Sequence, residues 1–397
     1  MSATRQFWYL PMDVVHYGAG AVEALGAELD RLDARRAMVV TSPTVRAHPR
    51  LGDRVQDLLG NRLVAVFDGV RPHVPYGCLQ PGLETIHDRT PDVLVSLGSG
   101  SVVDAARALA LAAGEGLRSA VDLARWRATF VPPATTDIPT TSGRALPIVA
   151  IPTTLSAAEF ANAGAVTDED RQTKDLLIAD ELTPRSVLLD PELGVTTPVD
   201  LWASTGMRAL DHAIETVYSP RRGPITDALA LDAVRRLSAS LRAAQRDPSD
   251  VDARCEGQLG AWESYFGEMN LTLGLSHAIG HQIGARYRVQ HGWTTCAVLP
   301  SVMRWLTPAT AERQALIASA FGVDTAAMTD EEAAEAAATE VERLVGDLRL
   351  PASLGELGVR QEELGALADA VMQDLVVAGS PRPVQRDDVV AILERAS

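Results

Sequence analysis

In the first half of the chain, short apolar runs alternate with segments of helical spacing. Five runs rich in aliphatic residues lie at residues 37–41, 63–67, 93–97, 148–151 and 186–190. Strands separated by helices are typical of a parallel sheet, because parallel neighbours are joined by crossover connections. The alternation therefore predicts an α/β domain over residues 1–197.

The pattern changes after Pro198. From there on, Ala, Leu, Arg and Glu recur at helical spacing, as in residues 226–244 and 331–348. No strand-like alternation interrupts these segments. We therefore expect a second, all-helical domain over residues 198–397.

A long polar segment interrupts the α/β pattern at residues 115–146. It is rich in turn-forming residues, including Pro132 and Pro133. Loops of this length in compact domains are often functional, so the segment is predicted to be a loop or flap.

Charge and composition exclude several classes of protein. The 397 residues carry 36 basic and 52 acidic side chains, for a net charge of −16. Such a chain, without a basic cluster, does not suit nucleic acid or an anionic membrane, which need many Lys and Arg contacts. The three cysteines are far apart and the first residues lack a signal-peptide pattern, so a cytoplasmic location is expected. No apolar run approaches the roughly 18 residues that span a membrane.

A glycine-rich turn follows the third apolar run and opens a helical segment. It comprises Gly98, Ser99, Gly100 and Ser101, with Asp104 one turn further on. Glycine lets the backbone approach a ligand closely, and the first amides of a helix bind phosphate. The turn does not match the Gly-x-Gly-x-x-Gly pattern. It is either a phosphate site or an ordinary strand-to-helix turn, with Ser101 as the cap and Asp104 completing a capping box.

Four of the eight histidines fall in two segments of helical character. His277 and His281 are four residues apart on one helix face, and His291 follows beyond a predicted turn. His212 lies in a separate helical segment. Imidazoles converging from two helices and a loop are typical of metal ligands or proton carriers. A set of structural histidines would give the same pattern.

Seven short motifs are spread over the chain. They are His-Tyr-Gly-Ala-Gly at 16–20, Gly-Ser-Gly-Ser-Val-Val-Asp at 98–104, Pro-Thr-Thr at 152–154, Asp-Pro at 190–191, Gly-Met-Arg-Ala-Leu-Asp-His at 206–212, the His277, His281 and His291-Gly292 set, and Ser-Pro-Arg-Pro at 380–383. In this order and spacing they make the chain similar to the iron-type (group III) alcohol dehydrogenase superfamily, close to its maleylacetate reductase branch. The similarity extends over nearly the whole chain.

The resemblance implies an N-terminal Rossmann-like dinucleotide-binding domain, a C-terminal helical domain as in dehydroquinate synthase, and an active site in the cleft between them. It implies NAD(H) or NADP(H), with the pyrophosphate on the glycine-rich turn, the nicotinamide near the threonine pair and its ribose near the lysine. The implied cofactor-binding residues are Ser42, Gly98, Ser99, Gly100, Ser101, Asp104, Thr153, Thr154 and Lys174. The threonine pair also suits a simple strand-to-loop transition.

Lys174 is the single lysine among 36 basic residues. Lys and Arg differ in size, hydration and hydrogen-bond geometry, so they do not replace each other freely at a binding site. A lysine kept at the position where the resemblance implies a cofactor contact favours a functional role over an exposed surface residue.

The choice between NAD and NADP depends, in the superfamily, on the end of the first nucleotide-domain strand. Here that strand ends in Thr41 and Ser42, without the acidic residue that binds a ribose 2′-hydroxyl and repels a 2′-phosphate. We therefore expect relaxed selectivity or acceptance of NADP.

The chain departs from the superfamily pattern at one implied metal ligand. Metal-dependent members bind Fe²⁺ or another divalent ion through one Asp and three His, here His212, His277 and His291. The Asp position, one turn before the first His, is Arg208. A guanidinium cannot ligate a metal, and Asp211 lies on a different helix face. Either three histidines bind a divalent metal such as iron or zinc, or the site works without one.

The resemblance implies an NAD(P)-dependent alcohol dehydrogenase or reductase acting on a small carbonyl or alcohol substrate, and a homodimer. His212, His277, His281 and Arg208 are the candidate catalytic residues, with His281 or His277 in proton transfer. A maleylacetate reductase-like, metal-independent reduction of an activated C=C bond next to a carbonyl is the alternative. A dehydroquinate synthase-like lyase would need more basic residues than this chain offers, and an inactive binding homologue would not need the retained motifs.

Overall fold

The structure, a computed structural model, describes residues 6–131, 135–171, 173–267 and 270–397. The chain forms two compact units, one over Tyr9–Thr197 and one over Pro198–Ser397, which residues 6–8 join. The backbone amide of Trp8 donates to Asn270 Oδ1 at 2.6 Å, and Asn270 Nδ2 donates back to the Trp8 carbonyl at 3.0 Å. Pro132 and Pro133 of the predicted flap lie outside the described residues.

All strands of the described chain belong to the first unit. They are β1 (Val14–Tyr17), β2 (Ala37–Val40), β3 (Leu63–Phe67), β4 (Val93–Gly98), β5 (Thr129–Val131), β6 (Thr135–Asp137), β7 (Ile148–Pro152), β8 (Ala163–Asp168), β9 (Thr173–Ile178) and β10 (Ser186–Leu189). Six of them form a parallel sheet in the order β1-β10-β7-β4-β2-β3. The prediction of an α/β domain with a parallel sheet is confirmed.

The five apolar runs of the sequence are the inner strands and one edge of this sheet. Every residue of β2, β4, β7 and β10 is buried, which explains their continuous apolar character. The sequence did not predict β1, whose residues are only partly buried at the other edge.

Two antiparallel hairpins accompany the main sheet. β8 pairs with β9, and Lys174 lies on β9 opposite Thr167. β5 pairs with β6 inside the segment predicted to be a loop or flap. That segment also contains a 3₁₀ helix, Ala120–Trp126, which the sequence did not predict. Its many turn-forming residues are therefore compatible with short strands and a short 3₁₀ helix.

Helices cover the sheet and make up the second unit. In the first unit they are α1 (Leu25–Arg31), α2 (Pro43–Arg46), α3 (Gly52–Leu59), α4 (Tyr76–Arg89), α5 (Gly100–Gly114) and α6 (Pro191–Gly194). In the second they are α7 (Val199–Tyr218), α8 (Pro224–Arg246), α9 (Val251–Tyr265), α10 (Leu275–Tyr287), α11 (His291–Ala320), α12 (Asp330–Asp347), α13 (Leu364–Val371) and α14 (Arg386–Arg395). The second unit has no strand among its described residues, as predicted. None of the helices described is long and apolar enough to cross a membrane.

Candidate functional site

The glycine-rich turn connects β4 to α5 and requires both of its glycines. Gly98 has φ = +147°, and a Cβ there would lie 2.8 Å from Val102 Cγ2. A Cβ on Gly100 would lie 2.8 Å from Ser156 Oγ. Packing against the chain's own side chains therefore excludes larger residues at both positions. The first amides of α5 follow directly, and such amides can bind a phosphate.

The turn does join a strand to a helix, but the predicted cap at Ser101 is wrong. Helix α5 begins at Gly100, and its cap residue Ser99 makes no side-chain capping bond. Ser101 is thus already inside the helix. The Asp104 carboxylate lies 3.5 Å from Nη1 of Arg107.

The threonine pair follows β7 and lies beside the glycine-rich turn. Gly98 and Pro152 are partners in the sheet, so the carboxyl ends of β4 and β7 coincide. The Thr153 amide donates to the Gly98 carbonyl at 2.9 Å. Both threonines are buried, and Thr154 Oγ1 has no hydrogen-bond partner in the described chain. The turn and the pair therefore form one polar edge of the sheet.

The other two predicted cofactor positions are Ser42, at the carboxyl end of the neighbouring parallel strand β2, and Lys174, on the β8–β9 hairpin. Ser42 follows β2 and caps α2, accepting a hydrogen bond from the Val45 amide at 3.4 Å. Lys174 is exposed on its hairpin. Burial, with the charge of Lys174 as a smaller cause, lowers the pKa of His73.

Arg107 was not recognised from the sequence, although it holds the segment after the threonine pair. Its side chain is fully buried on α5. Nη2 donates to the carbonyls of Ala158 and Ala161, both at 2.6 Å, and Nε donates to Leu182 at 3.1 Å. A buried guanidinium on backbone carbonyls fixes this segment against α5.

The four predicted histidines come together in the helical unit, from α7, α10 and α11. The ring of His212 stacks on that of His277, with centroids 4.9 Å apart. The His291 ring lies 5.6 Å from His277 and 5.5 Å from His281. His291 is the first residue of α11 rather than part of a loop. The prediction that these imidazoles converge agrees with this geometry.

Two histidines of this cluster have ring nitrogens without a hydrogen-bond partner in the described chain. Both nitrogens of His212, and Nε2 of His277, are buried without a hydrogen-bond partner among the residues described. Burial, with smaller effects of nearby charges, lowers the pKa of His212 far below its usual value and that of His277 to about 4. Both imidazoles are therefore neutral at neutral pH, and neutral imidazole is the form that binds a metal or accepts a proton.

Glu215 orients His277, and the sequence did not predict this role. Oε2 of Glu215 lies 2.8 Å from Nδ1 of His277. The carboxylate also accepts the amides of Gly274 at 2.5 Å and Ser276 at 2.9 Å. Burial nevertheless raises the pKa of Glu215 to about 7, because these donors compensate only in part.

Asp211 lies against the same side of His277. Its Oδ2 accepts the hydroxyls of Ser276 and Thr295, both at 2.9 Å, and lies 3.5 Å from Nδ1 of His277. Burial raises the pKa of Asp211 to about 6. Asp211, Glu215 and His277 are close enough to form a cation site, but the imidazole nitrogen in that group already contacts Glu215. The two acids thus approach Nδ1 of His277 and leave Nε2 for another partner.

Arg208 lies one turn before His212 on α7. Its Nε is buried and, within the described ranges, has no hydrogen-bond partner. Its charge contributes to the lowered pKa of both His212 and His277, so the guanidinium lies near both rings. The hypothesis that Arg208 pairs with Asp211 or Glu215 finds no support, because Arg208 Nε and Asp211 Oδ1 both lack a hydrogen-bond partner in the described chain and Glu215 accepts from His277 and backbone amides.

Two glycines allow the histidine-bearing helices to approach each other. A Cβ on Gly292 would lie only 1.7 Å from the Ser204 carbonyl oxygen, so α11 begins against the backbone of α7. A Cβ on Gly280 would lie 2.8 Å from Thr294 Oγ1 and 3.2 Å from His291 Cε1. The glycine after His291 is therefore a requirement of packing.

Two family models match the chain, and together they span most of it. "Iron-containing alcohol dehydrogenase" matches residues 13–191, and "Fe-containing alcohol dehydrogenase family, C-terminal" matches residues 202–397. The chain belongs to the iron-containing alcohol dehydrogenase family, and the resemblance seen in the sequence is confirmed.

Among its relatives, the NAD-dependent methanol dehydrogenase of Bacillus methanolicus is 30% identical over 395 residues, covering 98% of this chain and 99% of that protein. The crystal structure of a 1,3-propanediol oxidoreductase has a TM-score of 0.90 at 28% identity, covering 99% of this chain and 100% of that one. The crystal structure of maleylacetate reductase from Rhizobium sp. strain MTP-10005 has a TM-score of 0.80 at 26% identity, covering 99% and 98%. Both predicted branches are thus structural neighbours.

Proposed function

We propose that this chain is a nicotinamide-dependent oxidoreductase that interconverts a small carbonyl compound and its alcohol. The observation that carries the proposal is the cluster of four imidazoles on α7, α10 and α11, in which buried ring nitrogens of His212 and His277 have no hydrogen-bond partner in the described chain. Such nitrogens suit a substrate oxygen or a metal ion. We also propose a cytoplasmic homodimer.

NAD(H) or NADP(H) suits the polar edge formed by the glycine-rich turn and the threonine pair. Helix α5 begins at Gly100 directly after β4, and the first amides of a helix suit a pyrophosphate. Ser99, Ser101 and Thr154 offer hydroxyl groups beside it. The name of the Bacillus methanolicus relative supports NAD, and the absence of an acidic residue at Ser42 supports NADP as well.

When bound, the nicotinamide supplies or takes up the hydride. The neutral imidazole of His212 would donate a hydrogen bond to the substrate oxygen, and Nε2 of His277, whose Nδ1 lies on Glu215, would accept one from the alcohol hydroxyl. His281, which is partly exposed, would exchange the proton of that oxygen with solvent. The same residues would serve reduction of an activated C=C bond next to a carbonyl, as the maleylacetate reductase neighbour suggests.

A divalent metal such as Fe²⁺ or Zn²⁺ would be held by His212, His277 and His291. The buried, unused nitrogens of the first two fit imidazole ligation of either metal. Such an ion would polarise the substrate oxygen. Arg208 replaces the carboxylate ligand that the family pattern implies, and its fixed charge opposes a cation next to it. We therefore expect weaker metal binding than an aspartate at this position would give.

The substrate that fits Arg208 best carries a carboxylate. The guanidinium of Arg208 is only partly buried, but its buried Nε has no partner in the described chain, and a carboxylate could bind it in a bidentate contact. One guanidinium balances one monoanion. Four residues of helix rise by about 6 Å, so the carboxylate and the reacting carbonyl near His212 would be separated by a few bonds. We therefore propose short-chain oxo acids or hydroxy acids as substrates.

Arg208→Met tests this substrate class. We expect KM for an oxo acid to rise about 30-fold or more, because truncating one member of a buried hydrogen-bonded charge pair costs about 2–5 kcal/mol. KM for the nicotinamide, and for an uncharged aldehyde, should change less than about twofold. An equal loss of kcat with charged and uncharged substrates would contradict a carboxylate contact and indicate a role on the reacting oxygen.

Steady-state rates with a panel of carbonyls and enones test the function itself. Each substrate would be measured with NADH and NADPH, with and without added Fe²⁺ or Zn²⁺, on protein whose metal content is determined. We expect turnover of at least one short-chain carbonyl with comparable kcat/KM for the two cofactors. A strong NAD preference would contradict the proposed relaxed selectivity, and no turnover with any substrate would contradict the function.

Lys174→Arg tests the proposed cofactor contact. A hydrogen bond to a charged group contributes about 1.5–3 kcal/mol, so its loss should raise KM for the nicotinamide, or lower kcat, by about tenfold, with the fold intact. Arg125→Lys, at an exposed position of the same unit, is the control and should behave like the wild type. A Lys174→Arg enzyme with wild-type kinetics would show that the lysine has no such role.

A further inference from the structure

His281 differs from the other three histidines of the cluster. Its side chain is 41% exposed, whereas those of His212 and His277 are buried. Its ring is still close to the cluster, with its centroid 5.5 Å from that of His291 and 6.4 Å from that of His277. A ring that lies beside both the buried cluster and solvent is placed to pass a proton between them.

One nitrogen of the His281 ring already has a hydrogen-bond partner. Nδ1 of His281 lies 3.1 Å from Oδ2 of Asp374, a residue 93 positions further along the chain. Asp374 precedes the short 3₁₀ helix Leu375–Gly379 and follows α13. The contact therefore joins α10 to a separate segment of the helical unit.

The Asp374 carboxylate is rigidly held and ionised. Its Oδ1 accepts the Val376 amide at 3.1 Å, and its Oδ2 also accepts Gln282 Nε2 at 3.0 Å. Its side chain is only 11% exposed. Burial alone would raise the pKa of Asp374, but the hydrogen bond and charge of His281, with the other donors, lower it below its usual value.

The segment that carries Asp374 is anchored to the start of α10. A Cβ on Gly379 would lie 2.1 Å from the Leu273 carbonyl oxygen, so the 3₁₀ helix packs directly on the backbone that leads into α10. Asp374 and His281 are thus attached to the same small piece of structure. Their relative position is fixed from both ends.

An ionised carboxylate accepts hydrogen bonds and donates none. Nδ1 of His281 must therefore carry the hydrogen in this contact, and Nε2 is the nitrogen that can gain or lose a proton. We propose that Asp374 is a positioning residue for the reaction: it fixes the tautomer and orientation of His281, so that Nε2 serves as the proton-exchanging atom. This inference rests on the proposed function of His281.

The proton balance follows from this arrangement. In carbonyl reduction a bound nicotinamide would supply the hydride, with its electron pair, to the substrate carbon. The substrate oxygen takes the proton from Nε2 of the imidazolium, and the electron pair of that N–H bond stays on Nε2. The Nδ1–H bond to Asp374 is kept throughout. In alcohol oxidation the Nε2 lone pair takes the hydroxyl proton as the hydride leaves.

Asp374→Asn tests the role with little change of shape. Asparagine caps a helix as well as aspartate does, so the bond to Val376 can persist. The amide no longer offers an anionic acceptor at Nδ1. We expect kcat to fall about 10- to 100-fold, as for other residues that orient a functional histidine, while both KM values change less than about twofold. A kcat within twofold of the wild type would overturn the proposal.

A double-mutant cycle separates positioning from a structural effect. In a His281→Gln background the histidine is absent, so Asp374→Asn should change kcat by less than about twofold. An equal fall in both backgrounds would overturn the proposal. Gln282→Met, which removes the other side-chain donor to Asp374, is the matched control and should keep kcat near the wild type.

Nitrogen-15 NMR of the histidine rings provides a readout that needs no turnover. We expect the His281 signals, assigned by their loss in His281→Gln, to show the Nδ1-protonated tautomer in the wild type and a mixture of tautomers in Asp374→Asn. An Nε2-protonated tautomer in the wild type would overturn the inference. Wild-type protein without any nicotinamide-dependent activity would instead contradict the proposed function, and full activity of His281→Gln would contradict only the role of that histidine.

Discussion

Gly292→Ala is expected to destabilise the helical unit severely. The Cβ of alanine would lie 1.7 Å from the carbonyl oxygen and 2.5 Å from the carbonyl carbon of Ser204. Both atoms belong to the backbone of α7, so no side-chain rotation relieves the overlap. The start of α11 and the middle of α7 would have to separate, which exposes part of the core that they share.

We expect the free energy of unfolding to fall by about 3 kcal/mol or more, at the upper end of the range for overpacked cores. For a unit of this size that corresponds to a decrease in Tm of about 6–12 °C. The same displacement would move His291 and lower activity. Thermal and urea unfolding followed by circular dichroism, at one protein concentration, measure the effect.

Gly346→Ala is the matched control, in α12 of the same unit. A Cβ there meets nothing within 4 Å, and replacing an exposed helical glycine by alanine stabilises a helix by up to about 1 kcal/mol. Its Tm should equal or exceed that of the wild type. A Gly292→Ala protein as stable as this control would contradict the close contact of α7 with α11.

Glu215→Gln is expected to cause the largest loss of activity, although it leaves the charge of the groups that face the substrate unchanged. Both carboxylate oxygens of Glu215 accept hydrogen bonds, from Nδ1 of His277 and from the amides of Gly274 and Ser276. A carboxamide has only one oxygen, so its NH₂ group would face at least one of these donors. The ring of His277 would lose its fixed orientation.

We expect kcat to fall about 100-fold, at the upper end for residues that orient a functional histidine. An unsatisfied buried donor also costs about 1–3 kcal/mol of stability. Thr295→Val is the control: it removes one hydroxyl donor to Asp211 from the same buried group but leaves Glu215 and His277 in contact. It should lose less than about tenfold in kcat. Equal kcat values for Glu215→Gln and the wild type would show that His277 needs no partner at Nδ1.

Much of the fold follows from local pattern. The inner strands are apolar at every position because helices cover both faces of a parallel sheet, and such runs are visible without any partner. The edge strand β1 is only partly buried and has four residues, so its sequence carries little signal. The β8–β9 hairpin is similar, since three residues of β9 are exposed. The residues of such partly exposed segments therefore do not predict which strand they pair with.

In the candidate site too, the sequence predicts features that depend on local spacing but not contacts between distant residues. The histidines could be predicted because His277 and His281 are spaced by one helical turn and match a known pattern with His212 and His291. Their acidic partners could not, because the His277–Glu215 and His281–Asp374 contacts join residues 62 and 93 positions apart. Arg208 could be recognised as a departure, but only its buried Nε without a partner in the described chain indicates an anionic ligand.

The most direct test of the central claim is transfer of deuterium from nicotinamide to substrate. Wild-type protein would be incubated with NADH deuterated at C4, in each of its two stereochemical forms, and a short-chain oxo acid, and the product analysed by mass spectrometry and NMR. The proposed function predicts one deuterium on the former carbonyl carbon, from one of the two forms only. With an enone as substrate, deuterium on the carbon β to the carbonyl would instead support C=C reduction. Turnover without deuterium transfer, or no turnover of any carbonyl or enone with either cofactor, would contradict the claim.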